Sequence, residues 1–165
     1  MRAVDTNVLV QLITRDDARQ VEVAEEFVAR GAWVSQVVLV ETIWMLGAAY
    51  GIDHAGIARA IGMLLDHDRL TIQDSDVVTA ALSTYRKRPS LGFSDCLVVE
   101  VARKAGHLPL GTFDRNLSRL EGVEKLQISR GRGPRVGHGW GHGWGQVGKM
   151  KNSRRLAQVG KMKDS

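Results

Sequence analysis

Apolar positions over the first 129 residues fall into short runs separated by longer stretches of helical periodicity. Ala3-Val4 reads as the end of a short buried strand, and Val8, Leu9, Val10, Leu12 and Ile13 predict a short helix after the Asp-Thr-Asn turn. Asp16-Asp17 then opens a helix through Val21, Ala24, Phe27 and Val28 to Gly31, acidic in its first turn as the helix dipole prefers. Ala32-Trp33-Val34 forms a second strand. Ser35 caps a long helix from Gln36 to Tyr50 that Gly51 ends, and a further helix runs from about His54 to His67. Leu70-Thr71-Ile72 is a third strand. Asp74 or Ser75 starts a helix to about Lys87, Pro89 and Gly92 mark a loop, and Ser94 caps a helix to Lys104. Leu108 to Thr112 and Lys125 to Ile128 supply the fourth and fifth strands. Short strands alternating with helices predict a parallel sheet with right-handed crossovers, covered on both faces: a three-layer α/β domain. In such sheets ligands bind outside the carboxyl ends of the strands.

Composition divides the chain. Residues 1 to 129 carry 14 Lys and Arg against 17 Asp and Glu, a net of −3, whereas residues 130 to 165 carry 9 against 1, a net of +8. The overall charge of +5 therefore belongs to the end of the chain. That segment is rich in Gly, His, Trp and basic residues, repeats "GHGW" and "QVGKMK", and has nothing from which to build a core. We expect residues 130–165 to be a disordered low-complexity tail. His138 and His142, four apart within it, reflect composition more than a metal site. The single cysteine, Cys96, excludes an intrachain disulfide and suits a reducing cytoplasmic compartment. No basic-then-apolar signal pattern opens the sequence, and no apolar run approaches the ~18 residues of a membrane span, so a protein neither exported nor membrane-bound is expected.

Four carboxylates stand out. Asp5 lies at a strand end with no Lys or Arg beside it in sequence, although an Asx turn leading into a helix accounts for it taken alone. Glu41 has Val37, Val38, Trp44 and Met45 as its helical neighbours, and a charge within an apolar stripe needs a cation, a donor or an open cleft. Asp95 and Asp114 each have an ordinary employment at a helix start. The separate explanations leave out the convergence, since Asp5 and Asp114 belong to loops on the same rim of the predicted sheet. Crowded carboxylates repel unless protonated or bridged, and oxygen-rich clusters suit Mg²⁺ or Mn²⁺.

The stretches "VDTNVLV", "VVLVETIW", "GFSDCLVVEVARKAG" and "LGTFDRNL", in order over residues 1 to 129, resemble the PIN-domain ribonucleases, and within them the toxins of VapBC-type toxin–antitoxin pairs. The resemblance implies a five-stranded parallel sheet with strands one and four adjacent at its centre. It places an acidic quartet of catalytic and metal-holding residues on Asp5, Glu41, Asp95 and Asp114, with polar accessory positions at Asn7 and Thr112. It further implies a Mg²⁺-dependent, or Mn²⁺-dependent, endoribonuclease that hydrolyses phosphodiester bonds and forms a homodimer inhibited by a cognate antitoxin protein.

Arg86-Lys87-Arg88 and Arg115 are the candidates in the body of the chain for holding an RNA backbone, although positive charge in a last helical turn also complements the dipole. Cys96 is expected to be a small core residue, since no His lies near it in sequence and its helix is otherwise apolar. A haloacid-dehalogenase-type phosphatase needs a second Asp two residues after the first, where this chain has Asn7. The remaining alternative is a catalytically silent PIN-like module that binds RNA or protein.

Overall fold

In a computed structural model that describes residues 1–128, the elements run β1 (Arg2–Ala3), α1 (Thr6–Thr14), α2 (Ala18–Val28), β2 (Ala32–Val34), α3 (Gln36–Ala48), α4 (His54–Leu65), β3 (Leu70–Ile72), α5 (Ser75–Lys87), α6 (Phe93–Lys104), β4 (Leu110–Thr112) and β5 (Val123–Lys125). A 3₁₀ turn, Leu117–Arg119, lies between the last two strands. The expectations for residues 130–165, His138 and His142 included, lie outside the described residues.

Polar side chains fix the helix starts that the sequence suggests. Asp17, Ser35 and Asp53 each accept from backbone amides of the first turns of α2, α3 and α4, satisfying donors that have no partner within the helix. Gly51, at φ +64°, lets the chain reverse after α3. Asp74 departs from expectation. It sits at φ 47° and makes no capping bond; its carboxylate instead accepts from Lys104 Nζ at 2.6 Å, which joins the start of α5 to the end of α6.

All strand pairing is parallel, and the α/β class holds. Hydrogen bonding, however, divides the five strands into two ladders, β1-β2-β3 and β4-β5. In the first, Arg2 stands opposite Ala32 and Val34 opposite Ile72; in the second, Leu110 stands opposite Val123. Among the described residues no ladder joins β1 to β4, the pairing that the family resemblance had put at the centre of one sheet. Strands of two or three residues provide few ladder bonds, and side-chain packing has to do the rest. Ala32, Val34, Leu70 and Ile72 turn inward, while Trp33 and Thr71 between them are exposed. Leu9, Leu39, Leu46, Ile61, Val78, Cys96 and Val99 meet in one cluster, each sealed from solvent. Burying each large aliphatic side chain there stabilises the fold by roughly 1.5–3 kcal/mol. No helix among the described residues is long and apolar enough to cross a membrane.

Candidate active site

Asp5 leaves β1 in extended backbone and becomes the N-cap of α1, its Oδ1 accepting from the Val8 amide at 3.0 Å. The cap immobilises one oxygen and leaves the side chain exposed at the head of the helix. Thr6, the first helical residue, is buried, and its Oγ1 donates to Glu41 Oε2 across 2.6 Å. That bond ties the Asp5 turn to the second turn of α3. Thr6 is the residue that sequence reasoning missed. Its place between Asp5 and Asn7 was the available signal, but a threonine at a helix start has many ordinary uses.

The premise for Glu41 needs correction. The stripe around it does not face the core: Glu41 is exposed, and Val37 and Trp44 are 76% and 70% exposed beside it. Two of the outlets anticipated from sequence are both present, a donor in Thr6 and an open groove. The groove encloses about 1240 Å³ between α3 and α6, with Glu41, Val37 and Trp44 on one side and Ser94, Val98 and Val101 on the other.

Asp95 belongs to the α6 rim of that groove. The helix starts two residues before the sequence suggested, with Gly92 rather than Ser94 as N-cap, so Ser94 is inside the first turn and Asp95 reaches back to accept from the Gly92 amide at 3.1 Å. Both Gly92 and Ser94 line the groove that Glu41 lines. Asp114 lies after β4, in the second ladder. Its Oδ1 accepts from the amides of Asn116 and Leu117, both at 2.7 Å, and its own amide donates to Thr112 Oγ1 at 3.0 Å. Thr112 thus touches the carboxylate-bearing residue it was expected to support. Asn7 instead faces a separate cleft between α1 and α2.

The expected convergence of four acids is not seen: among the described residues, no three His, Cys, Asp or Glu side chains come together as a metal-holding group. Asp5 follows a strand of the first ladder and Asp114 a strand of the second. Asp5 and Glu41, linked through Thr6, are the association that forms. Their all-oxygen donor chemistry suits a hard cation. Mg²⁺ keeps much of its hydration and is commonly held by one or two carboxylates with substrate phosphate, a donor chemistry that Asp5 and Glu41 share.

Among the basic residues, Lys87 and Arg88 line a shallow polar cleft of about 270 Å³ with Arg103, while Arg86 and Arg115 lie outside it. Glu100 and Glu121 also line that cleft, and Arg103 Nε is held by Glu100 Oε2 at 3.3 Å. Cys96 is fully buried, as its apolar helix implied. Burial, with the charges of Asp95 and Glu100 nearby, pushes its thiol up to about 11, far from a reactive thiolate at neutral pH.

Among solved structures, Mycobacterium tuberculosis VapC20, described as a Sarcin-Ricin loop cleaving toxin, aligns at 23% identity over 74% of this chain and 97% of its own, with a TM-score of 0.34. No protein of curated function matches the chain. The family model of the PIN domain matches residues 2–123, a span that takes in Asp5, Thr6, Glu41, Asp95 and Asp114, and the chain belongs to the PIN-domain family.

Proposed function

We propose that the protein is an endoribonuclease that uses Mg²⁺ or Mn²⁺ to hydrolyse RNA phosphodiester bonds, and that it is the toxin of a VapBC-type toxin–antitoxin pair acting in the cytoplasm. The observation that carries this reading is the Thr6–Glu41 hydrogen bond, which brings a second carboxylate to the Asp5 turn within a PIN-domain chain. Asp5 and Glu41 would hold the cation, with Asp95 and Asp114 completing the acidic set. When bound, the cation stabilises charge building on the phosphate and lowers the pKa of attacking water. The protein's own share is orientation. The Val8 amide fixes one Asp5 oxygen, Thr6 fixes one Glu41 oxygen, and each carboxylate keeps its other oxygen for the ligand. Lys87 and Arg88 supply positive charge for the RNA backbone.

Exposed apolar side chains along the α3–α6 groove, Val37, Trp44, Val98 and Val101, support a homodimer, with the cognate antitoxin as the further protein partner. His54 and His67 have structural employment for their rings. His54 stacks on Tyr85 at 3.9 Å with Nε2 3.0 Å from the Tyr85 carbonyl oxygen, and His67 Nδ1 accepts from the Arg69 amide.

Hydrolysis by water attacks phosphorus from outside the substrate, so an RNA with one 2′-deoxy substitution at the mapped cleavage position is still cut. The products carry a 5′-phosphate and a free 3′-hydroxyl, and EDTA stops the reaction. Transesterification would need the 2′-hydroxyl and proceed in chelator. Resistance of the deoxy substrate, with a 2′,3′-cyclic phosphate on the normal product, overturns the proposal.

A further inference from the structure

Thr6 behaves unlike other helical threonines of this chain. Thr14, Thr42 and Thr79 each turn the hydroxyl back onto the carbonyl four residues earlier, at 2.9, 2.8 and 2.7 Å. Thr6 opens α1, so the residue four before it, Arg2, lies in β1 and offers no helical carbonyl. The hydroxyl points sideways and crosses to α3, meeting Glu41 at 2.6 Å, the length of a charge-assisted O–H···O⁻ bond. The donor is 6% exposed, so packing holds it, and β-branching restricts its χ1. The acceptor is the opposite: an exposed three-torsion side chain between exposed Val37 and Trp44, in no ion pair among the described residues.

Resting on the metal-nuclease reading, we infer that Thr6 is a positioning residue for that reaction: its buried hydroxyl holds Glu41 in the orientation that lets it act with Asp5 as one two-carboxylate unit. Asp5 is fixed from the same helical turn by the Val8 amide, so one turn of α1 sets both groups. The unit is defined across two elements by a rigid donor and a flexible acceptor. Losing the hydroxyl frees Glu41 without removing its charge.

Thr6→Val keeps the shape and β-branching and deletes the donor; Thr6→Ser keeps the donor. Mn²⁺ binding to the full-length protein in the absence of RNA is read by calorimetry or by the paramagnetic signal of the free ion, and RNA cleavage is measured beside it. For T6V we expect Mn²⁺ affinity and kcat each to fall about 10- to 100-fold, with KM for RNA little changed and the melting temperature close to wild type. T6S returns both quantities to near the wild-type level. A T6V protein that binds Mn²⁺ and cuts RNA like the wild type overturns the assignment, and so does a T6S protein as impaired as T6V, because packing would then matter and the hydroxyl would not. Wild-type protein that neither binds Mn²⁺ nor cuts RNA overturns the metal-nuclease reading together with this assignment; wild type that does both beside an unchanged T6V overturns the assignment alone.

Discussion

Asp95 holds the start of α6 through the Gly92 amide and is also a candidate for the chemistry, and two substitutions pull those employments apart. Asp95→Asn retains a side-chain oxygen for the cap but loses the charge; Asp95→Ala loses both. The expected outcome is that D95N abolishes RNA cleavage with a melting temperature near wild type. D95A abolishes cleavage as well and is destabilised by about 1 kcal/mol, the usual cost of a lost cap. Thermal unfolding and a cleavage assay on both variants check this, and wild-type cleavage by D95N at saturating Mg²⁺ removes Asp95 from the site. A residue with an ordinary structural task is thus no weaker a candidate for a functional one. The same holds for Asp114, whose turn bonds to Asn116 and Leu117 also leave an exposed carboxylate.

Among the elements, α6 is the one whose two faces are in tension. Phe93, Cys96, Leu97 and Val99 pack inward, while Asp95 faces out beside the buried thiol. Burial first, and the charges of Asp95 and Glu100 second, raise the Cys96 thiol from 9.0 to about 11. The folded chain therefore holds this proton more tightly than the unfolded chain does. Its contribution is complete below pH 9 and is lost as pH rises through 11, an effect of about 3 kcal/mol. Denaturant titrations between pH 8 and 11 should show a steeper loss of stability in the wild type than in Cys96→Ala; equal slopes reject the account. The elements themselves were largely legible. Asp17 and Ser35 announced their helices because capping is local chemistry. The first four strands were placed within about two residues and the fifth overlaps its expected span only at Lys125, and their sorting into two ladders was not readable. Pairing between strands far apart in sequence is decided by packing, and two-residue β1 leaves hardly any pattern to read. In the site, all four acids stood out in the sequence as residues, while Thr6, the partner of Glu41, did not. Glu41 looked buried because its flanking apolar residues were assumed to face inward; Val37 and Trp44 face outward.

At the scale of the described residues, that outward-facing surface departs from what a solitary globule needs. Val37, Trp44, Val98 and Val101 expose apolar area along one groove, in a body whose net charge over residues 1 to 129 is only −3. Trp44→Glu is expected to convert the proposed homodimer to monomer at micromolar concentration, read by sedimentation equilibrium. The monomer should unfold with a transition as cooperative as a well-packed domain gives, since Trp44 is 70% exposed and holds little of the core. A wild type that sediments as a monomer excludes the dimer. The sealed position of Cys96 makes such assemblies convenient to observe. It is the chain's one thiol and it is protonated and inaccessible, so a cysteine introduced at exposed Ser83 is the one group a maleimide dye reaches. Each chain then carries one fluorophore at a known place with its native residues otherwise intact, and energy transfer between donor- and acceptor-labelled populations counts subunits and follows their exchange in solution.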